Sequence, residues 1–176
     1  MKKSITILLS VAFLLNFGLQ GCKTFPYSFN QRGTLDPDIK TVRVQFIENR
    51  APYQNPQLSP NLTESLRQKV TRQTKLTQTN SDNANLDISG EITDYSVTTT
   101  GVTSVNGQKQ TSVNRLTVSV HVVFNNQLKN DSKEATVSHS FDFPANQSLN
   151  VAERDLLDDM VRQLSDEIFN RIFSDW

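Results

Sequence analysis

Residues 116–124 read Leu-Thr-Val-Ser-Val-His-Val-Val-Phe, with Leu116, Val118, Val120, Val122 and Phe124 all apolar on the even positions. A period of two over nine residues belongs to a strand with one face in a core and the other in water, and a one-residue slip would turn every apolar side chain outward. The flanking segments keep the same pattern. Upstream, Leu86, Ile88, Gly90 and Ile92 alternate, and then the phase changes to Tyr95 and Val97, which predicts a β-bulge. Downstream, Ala135, Val137, His139, Phe141 and Phe143 align. Asn106-Gly107, suited to the left-handed backbone of a tight hairpin turn, joins the first two strands, and the polar stretch 127–134 joins the second to the third. The expected core is therefore an antiparallel meander.

Ahead of the meander, Val42, Val44 and Phe46 share one predicted strand face and Thr41, Arg43 and Gln45 the other. Leu58, Leu62, Leu66 and Val70 then recur every four residues, the stripe of a helix, with Ser59 as its expected N-cap and Pro60 at the first helical position, where its missing amide hydrogen costs nothing. A short extended segment, 75–79, follows. At the other end Leu157, Met160, Val161, Leu164, Ile168 and Ile172 mark one face of a longer helix, with acidic residues crowding its start, where the helix dipole favours them. The predicted architecture is α+β: an antiparallel or mixed sheet of four to five strands with two helices packed on one face.

The N-terminus has a different character. Lys2 and Lys3 precede an apolar run from Ile5 to Phe17, and Leu19-Gln20-Gly21-Cys22 ends it. That is the build of a secretory signal peptide, too short to span a bilayer comfortably as a helix. Leu19, Gln20, Gly21 and Cys22 resemble the bacterial lipobox, with Gln20 where a small or β-branched residue is usual. The resemblance implies cleavage before Cys22 and a covalent lipid on its sulfur. Several acyl chains would hold a soluble domain at a membrane, since each buried methylene contributes about 0.8 kcal/mol. Lys23, rather than Asp, follows the cysteine, which by the same resemblance directs the protein to the outer membrane. The expected organisation is a leader over residues 1–21, a lipidated linker over 22–38, and one domain over 39–176.

Without the two leader lysines, 16 basic residues stand against 18 acidic ones, a formal charge of −2 that argues against nucleic acid as a partner. The charge is uneven. Lys40, Arg43, Arg50, Arg67, Lys69, Arg72 and Lys75 lie between residues 40 and 75 with only Glu48 and Glu64, whereas residues 150–176 are acidic. A basic region on an anchored protein can meet lipid phosphates, and it can equally be a solvated face.

Catalytic chemistry finds little support. His121 and His139, the only histidines, fall on opposite faces of their strands, and Cys22 is the only cysteine. No HExxH, no G-x-S-x-G elbow and no phosphate-cradling glycine loop is present. No metal and no cofactor beyond the Cys22 lipid is expected, and the chain reads as a non-enzyme.

The ordered segments 21–29, 39–51, 62–70, 90–98, 114–124 and 166–176 resemble the LptE family of lipopolysaccharide-assembly lipoproteins, in the form seen in the Bacteroidetes lineage. The resemblance runs from the lipobox to Trp176, with departures in the loops 76–85 and 125–134. It implies a lipid-anchored outer-membrane subunit facing the periplasm that plugs and helps assemble the LptD β-barrel from within its lumen, and that binds lipopolysaccharide. Arg67, Lys69 and Arg72 are then candidate contacts to its phosphates. The other reading is an outer-membrane lipoprotein acting as pilot or scaffold for a different envelope or secretion machine.

Overall fold

The computed structural model describes residues 36–100, 104–105, 108–109 and 113–173. Along the chain these form β1 (Thr41–Val44), β2 (Glu48–Asn49), α1 (Leu58–Gln73), β3 (Thr77–Gln78), β4 (Leu86–Thr100), β5 (Ser104–Val105), β6 (Gln108–Lys109), β7 (Val113–Asn126), β8 (Asp131–Pro144) and α2 (Leu149–Phe173). The main sheet runs β3-β1-β4-β7-β8, with β2 continuing beside β4. β4, β7 and β8 form the predicted antiparallel meander, while β1 is parallel to both β3 and β4. The sheet is thus mixed. Parallel neighbours need a crossover between them, and α1 supplies it between β1 and β3.

The apolar stripes meet as their periods require. On β7, Leu116, Val118, Val120 and Val122 are fully buried, facing Leu58, Leu62 and Leu66 of α1 and Met160, Leu164, Ile168 and Ile172 of α2 in one cluster. Each such side chain contributes about 1.5–3 kcal/mol on burial. Gly90 belongs to the close approach of β4 and β7: a Cβ there would stand 2.9 Å from the His121 carbonyl oxygen.

The expected bulge in β4 is present. Ile92 pairs with Val120 and Asp94 with Ser119, so Thr93 is the extra residue, and the strand resumes with Tyr95 on the helix side. A second irregularity breaks the first predicted strand. β1 pairs Val44 with Ile88, but β2 pairs Glu48 with Glu91, so the upstream chain spends one residue more than β4 over this interval. The phase therefore flips, Phe46 is 54% exposed rather than sharing a face with Val42 and Val44, and Ile47 enters the core. The amide of Ile47 donates to the buried Thr63 hydroxyl of α1 at 3.0 Å, which fixes the flipped phase.

Two helix starts also differ from expectation. Ser59 is not the cap of α1. It lies inside the helix with its hydroxyl buried and without a hydrogen-bond partner among the described residues, and the preceding turn is held by Asn55, whose side chain accepts the Gln57 amide at 2.9 Å. In α2 the first turn carries no acidic residue; Glu153 comes one turn later and is buried. The pairs Ser104–Lys109 and Val105–Gln108 flank Asn106-Gly107, which itself lies outside the described residues.

Candidate functional site

α1 carries all three predicted phosphate-contact cations, and its neighbours give each a different task. Arg67 turns back to the sheet, donating to the Val44 carbonyl from Nε at 3.1 Å and Nη2 at 2.9 Å. The reason lies in the edge of β1. The amides of Thr77 and Thr79 take the carbonyls of Lys40 and Val42, β3 then ends, and Arg67 takes the next carbonyl in that row. Lys69 pairs with Asp166 of α2, beside a hydrogen bond between Ser65 and Ser165. Arg72, exposed in the last turn of α1, bonds only the neutral Gln68 side chain among the described residues.

Arg67 and Arg72 line an open cleft of about 680 Å³ between α1 and the Gln78–Asn80 stretch, with Gln68 and Thr71 as further polar groups and Glu64 at one side. Arg72 also borders a second cleft, of about 310 Å³, between the two helices, where Lys69 and Arg162 face Asp158 and Asp166. The first cleft is the more suited to an anion, because neither of its guanidiniums pairs with a carboxylate among the described residues, whereas in the second Lys69 is held by Asp166 and Arg162 by Asp159. Of the other basic residues singled out, Arg43 is clamped by both oxygens of Asp87, at 2.8 and 2.9 Å, and Arg50 pairs with Glu48 and Glu91. These two are internally neutralised.

A buried polar cluster gave no signal in the sequence. Glu153, 8% exposed, accepts the Tyr95 hydroxyl at 2.7 Å and the Tyr53 hydroxyl at 3.2 Å, the two rings stack at 5.4 Å, and Asn55 approaches Tyr95. Burial, reinforced by the Glu153 carboxylate, holds the Tyr95 phenol well above its ordinary value near 10. The cluster ties the loop before α1, β4 and α2 together. Sequence separations of 58 and 100 residues conceal it.

The histidines occupy opposite sides, as expected. His121 meets Glu134 on the open face of the sheet, and His139 meets Glu167 of α2. Among the described residues, no group of three or more potential metal ligands gathers, and no helix is long and apolar enough to cross a membrane. Leu19, Gln20, Gly21 and Cys22 lie outside the described residues.

A family model described as LptE, lipopolysaccharide-assembly, matches residues 39–172. No curated protein matches the sequence. Among solved structures, a neuraminyllactose-binding hemagglutinin homologue from Helicobacter pylori is 9% identical, with 74% of this chain and 84% of that one covered and a TM-score of 0.53, which shows a shared fold. A minor lipoprotein from Acinetobacter baumannii is 12% identical over 77% of this chain and 94% of its own, with a TM-score of 0.43. Rare lipoprotein B from Shewanella oneidensis is 13% identical over 75% and 93%, also with a TM-score of 0.43. The family match begins just before β1 and ends in the last turn of α2, so that it takes in the sheet and both helices, and the chain belongs to the LptE family of lipopolysaccharide-assembly proteins.

Proposed function

We propose that this protein is a lipid-anchored, non-enzymatic subunit of the outer-membrane lipopolysaccharide-transport complex, seated in the lumen of an LptD-like β-barrel that it helps to assemble, and that it binds lipopolysaccharide. The family match across residues 39–172 carries the reading. In this reading residues 1–21 are removed, Cys22 becomes the lipidated first residue, residues 22–38 form the linker, and the α+β domain from residue 39 onward faces the periplasm and the barrel lumen. The open sheet face agrees with a polar lumen: Thr117 pairs with Ser140 and Ser119 with Ser138, each at 3.0 Å, so the face presents hydroxyls rather than apolar surface.

The cleft beside α1 sharpens the lipid side of the proposal. Arg72 is the cation with fewest obligations and is assigned the phosphate contact; Arg67, engaged with Val44, frames the cleft, and Lys69 is held by Asp166. A gentle detergent pull-down of the tagged, lipidated protein from its own outer membrane tests the complex. One large β-barrel in near-equal amount is the expected result; recovery of a secretion or pilus component, or of nothing, overturns it in favour of the pilot or scaffold reading. Arg72→Glu should lower lipopolysaccharide affinity about tenfold or more, the scale of one charge-assisted hydrogen bond. Unchanged affinity would make the cleft solvated surface only.

A further inference from the structure

The two edges of the sheet are treated differently. At one edge β3 is two residues long, and beyond it Arg67 occupies the Val44 carbonyl. At the other edge β8 runs for 14 residues in unbroken register with β7, from Val113–Pro144 to Asn126–Asp131. In an antiparallel pair, about half of an edge strand's amides and carbonyls point away from its neighbour. Among the described residues, the backbone hydrogen bonds outside the ladders reach β8 only at Pro144, whose carbonyl accepts from Gln147.

Exposed edges are normally blunted by brevity, bulges, proline or charge, because a bare one templates a further strand. β8 lacks these devices along its middle. Residues 136–141 are Thr-Val-Ser-His-Ser-Phe, with no Asp, Glu, Lys or Arg, no proline, and Thr136, Ser138 and Ser140 exposed. One margin is acidic. Asp131 and Glu134 stand exposed against Lys133 toward one end of the strand, while Asp142, toward the other, is held by Arg115 at 2.7 and 2.9 Å. The Glu134 side chain is 75% exposed, with a histidine as its partner.

We propose that β8 is a strand-addition site for an extended, basic segment of a partner protein, which pairs through its backbone along the strand and places its cations beside the exposed Glu134. Strand addition draws affinity from main-chain bonds and selectivity from alternate side chains, and the acidic border selects a cationic strand. The inference goes beyond the lipopolysaccharide reading and does not depend on it.

The test uses the full chain and a short capped peptide of alternating valine and lysine, with amide hydrogen exchange of residues 131–144 as readout. With peptide at ten times its dissociation constant, exchange of the outward amides should slow about elevenfold. The same peptide N-methylated on one edge should give no protection, nor should a valine–glutamate version. Absence of protection at millimolar valine–lysine peptide overturns the proposal. Equal binding by the N-methylated peptide also overturns it, since charge alone would then suffice. Protection that appears without peptide as protein concentration rises assigns the edge to a second copy, and protection in the dilute isolated protein assigns it to the chain itself; either outcome removes the partner strand.

Discussion

The edge of the sheet at β1 and the edge at β8 begin from the same problem, a row of unpaired backbone groups, and solve it at different levels. At β1 the solution is internal: Thr77 and Thr79 of the β3 segment take two carbonyls in succession and Arg67 takes the third. The cation reaches that carbonyl because α1 is pressed onto the sheet by Leu58, Leu62, Leu66 and Val70. At β8 the backbone row is regular and its outward side chains reach β7, through hydroxyls at Thr117–Ser140 and Ser119–Ser138 and through ion pairs at His121–Glu134 and Arg115–Asp142. One edge is closed by long-range packing; at the other, among the described residues, no backbone hydrogen bond outside the ladder with β7 reaches the strand before Pro144. A cation counted as a free ligand contact in the sequence is therefore, at Arg67, first a structural group.

Because α1 closes the β1 edge, its stripe should give the largest effect. Leu66→Ala removes a fully buried side chain and leaves a cavity, with an expected loss of about 2–5 kcal/mol in urea-monitored unfolding. Hydrogen exchange in β1 should quicken in the variant more than exchange in β8; equal acceleration at both edges would break the distinction. Arg67→Met comes next. Its apolar stem is kept, but the Val44 carbonyl loses both donors, and a stranded acceptor costs about 1–3 kcal/mol. A loss below about 0.5 kcal/mol would mean that water satisfies Val44 and that Arg67 is free for other work.

A smaller effect, confined to alkaline pH, comes from the tyrosine–glutamate cluster that anchors α2, the helix beside the β8 edge. Tyr95 is held above the ordinary phenol value by burial and by Glu153. Below about pH 10 the phenol is protonated in both folded and unfolded chains, and its contribution is complete. As pH rises past 10 the unfolded chain ionises while the folded Tyr95 stays neutral, so stability falls. The wild-type decline should be steeper than that of Tyr95→Phe by up to about 1.4 kcal/mol per pH unit, read as the slope of unfolding free energy against pH. Identical slopes would show that Tyr95 ionises in the folded protein as easily as in the unfolded one.

Strand period was the part of this architecture that sequence made plain. β7 could be read at side-chain level because burial on a sheet face has a period of two, and the Thr93 bulge announced itself as a break in that period. The interruption after Val44 gave no such break: Val42, Val44 and Phe46 look continuous, and only the Thr63 hydroxyl on a later helix and the β4 register decide that Ile47 turns inward. Ser59 misled for a similar reason, since a cap depends on where the turn begins, and Asn55 begins it earlier. The basic composition of α1 was visible, but the allotment of Arg67 to a carbonyl and Lys69 to Asp166 depends on contacts 23 and 97 residues apart. Tyr95 could be placed on its sheet face by the resumed period, but its meeting with Glu153 and Tyr53 follows no local pattern.

The smallest expected effect separates the faces of one strand and bears on the open edge. Thr117→Val on β7 replaces a hydroxyl by a methyl of nearly equal volume and removes the bond to Ser140, yet both groups sit at a solvated surface where water takes over the hydrogen bonds. The unfolding free energy should move by no more than about 0.5 kcal/mol. The same exchange in reverse, Val120→Thr three residues along, puts a hydroxyl among fully buried side chains and should cost about 1–3 kcal/mol. If Thr117→Val proved as costly as Val120→Thr, the hydroxyl pairs would be structural ties of the meander, and β8 would owe its regular, pairing-ready edge to them rather than to the backbone ladder with β7.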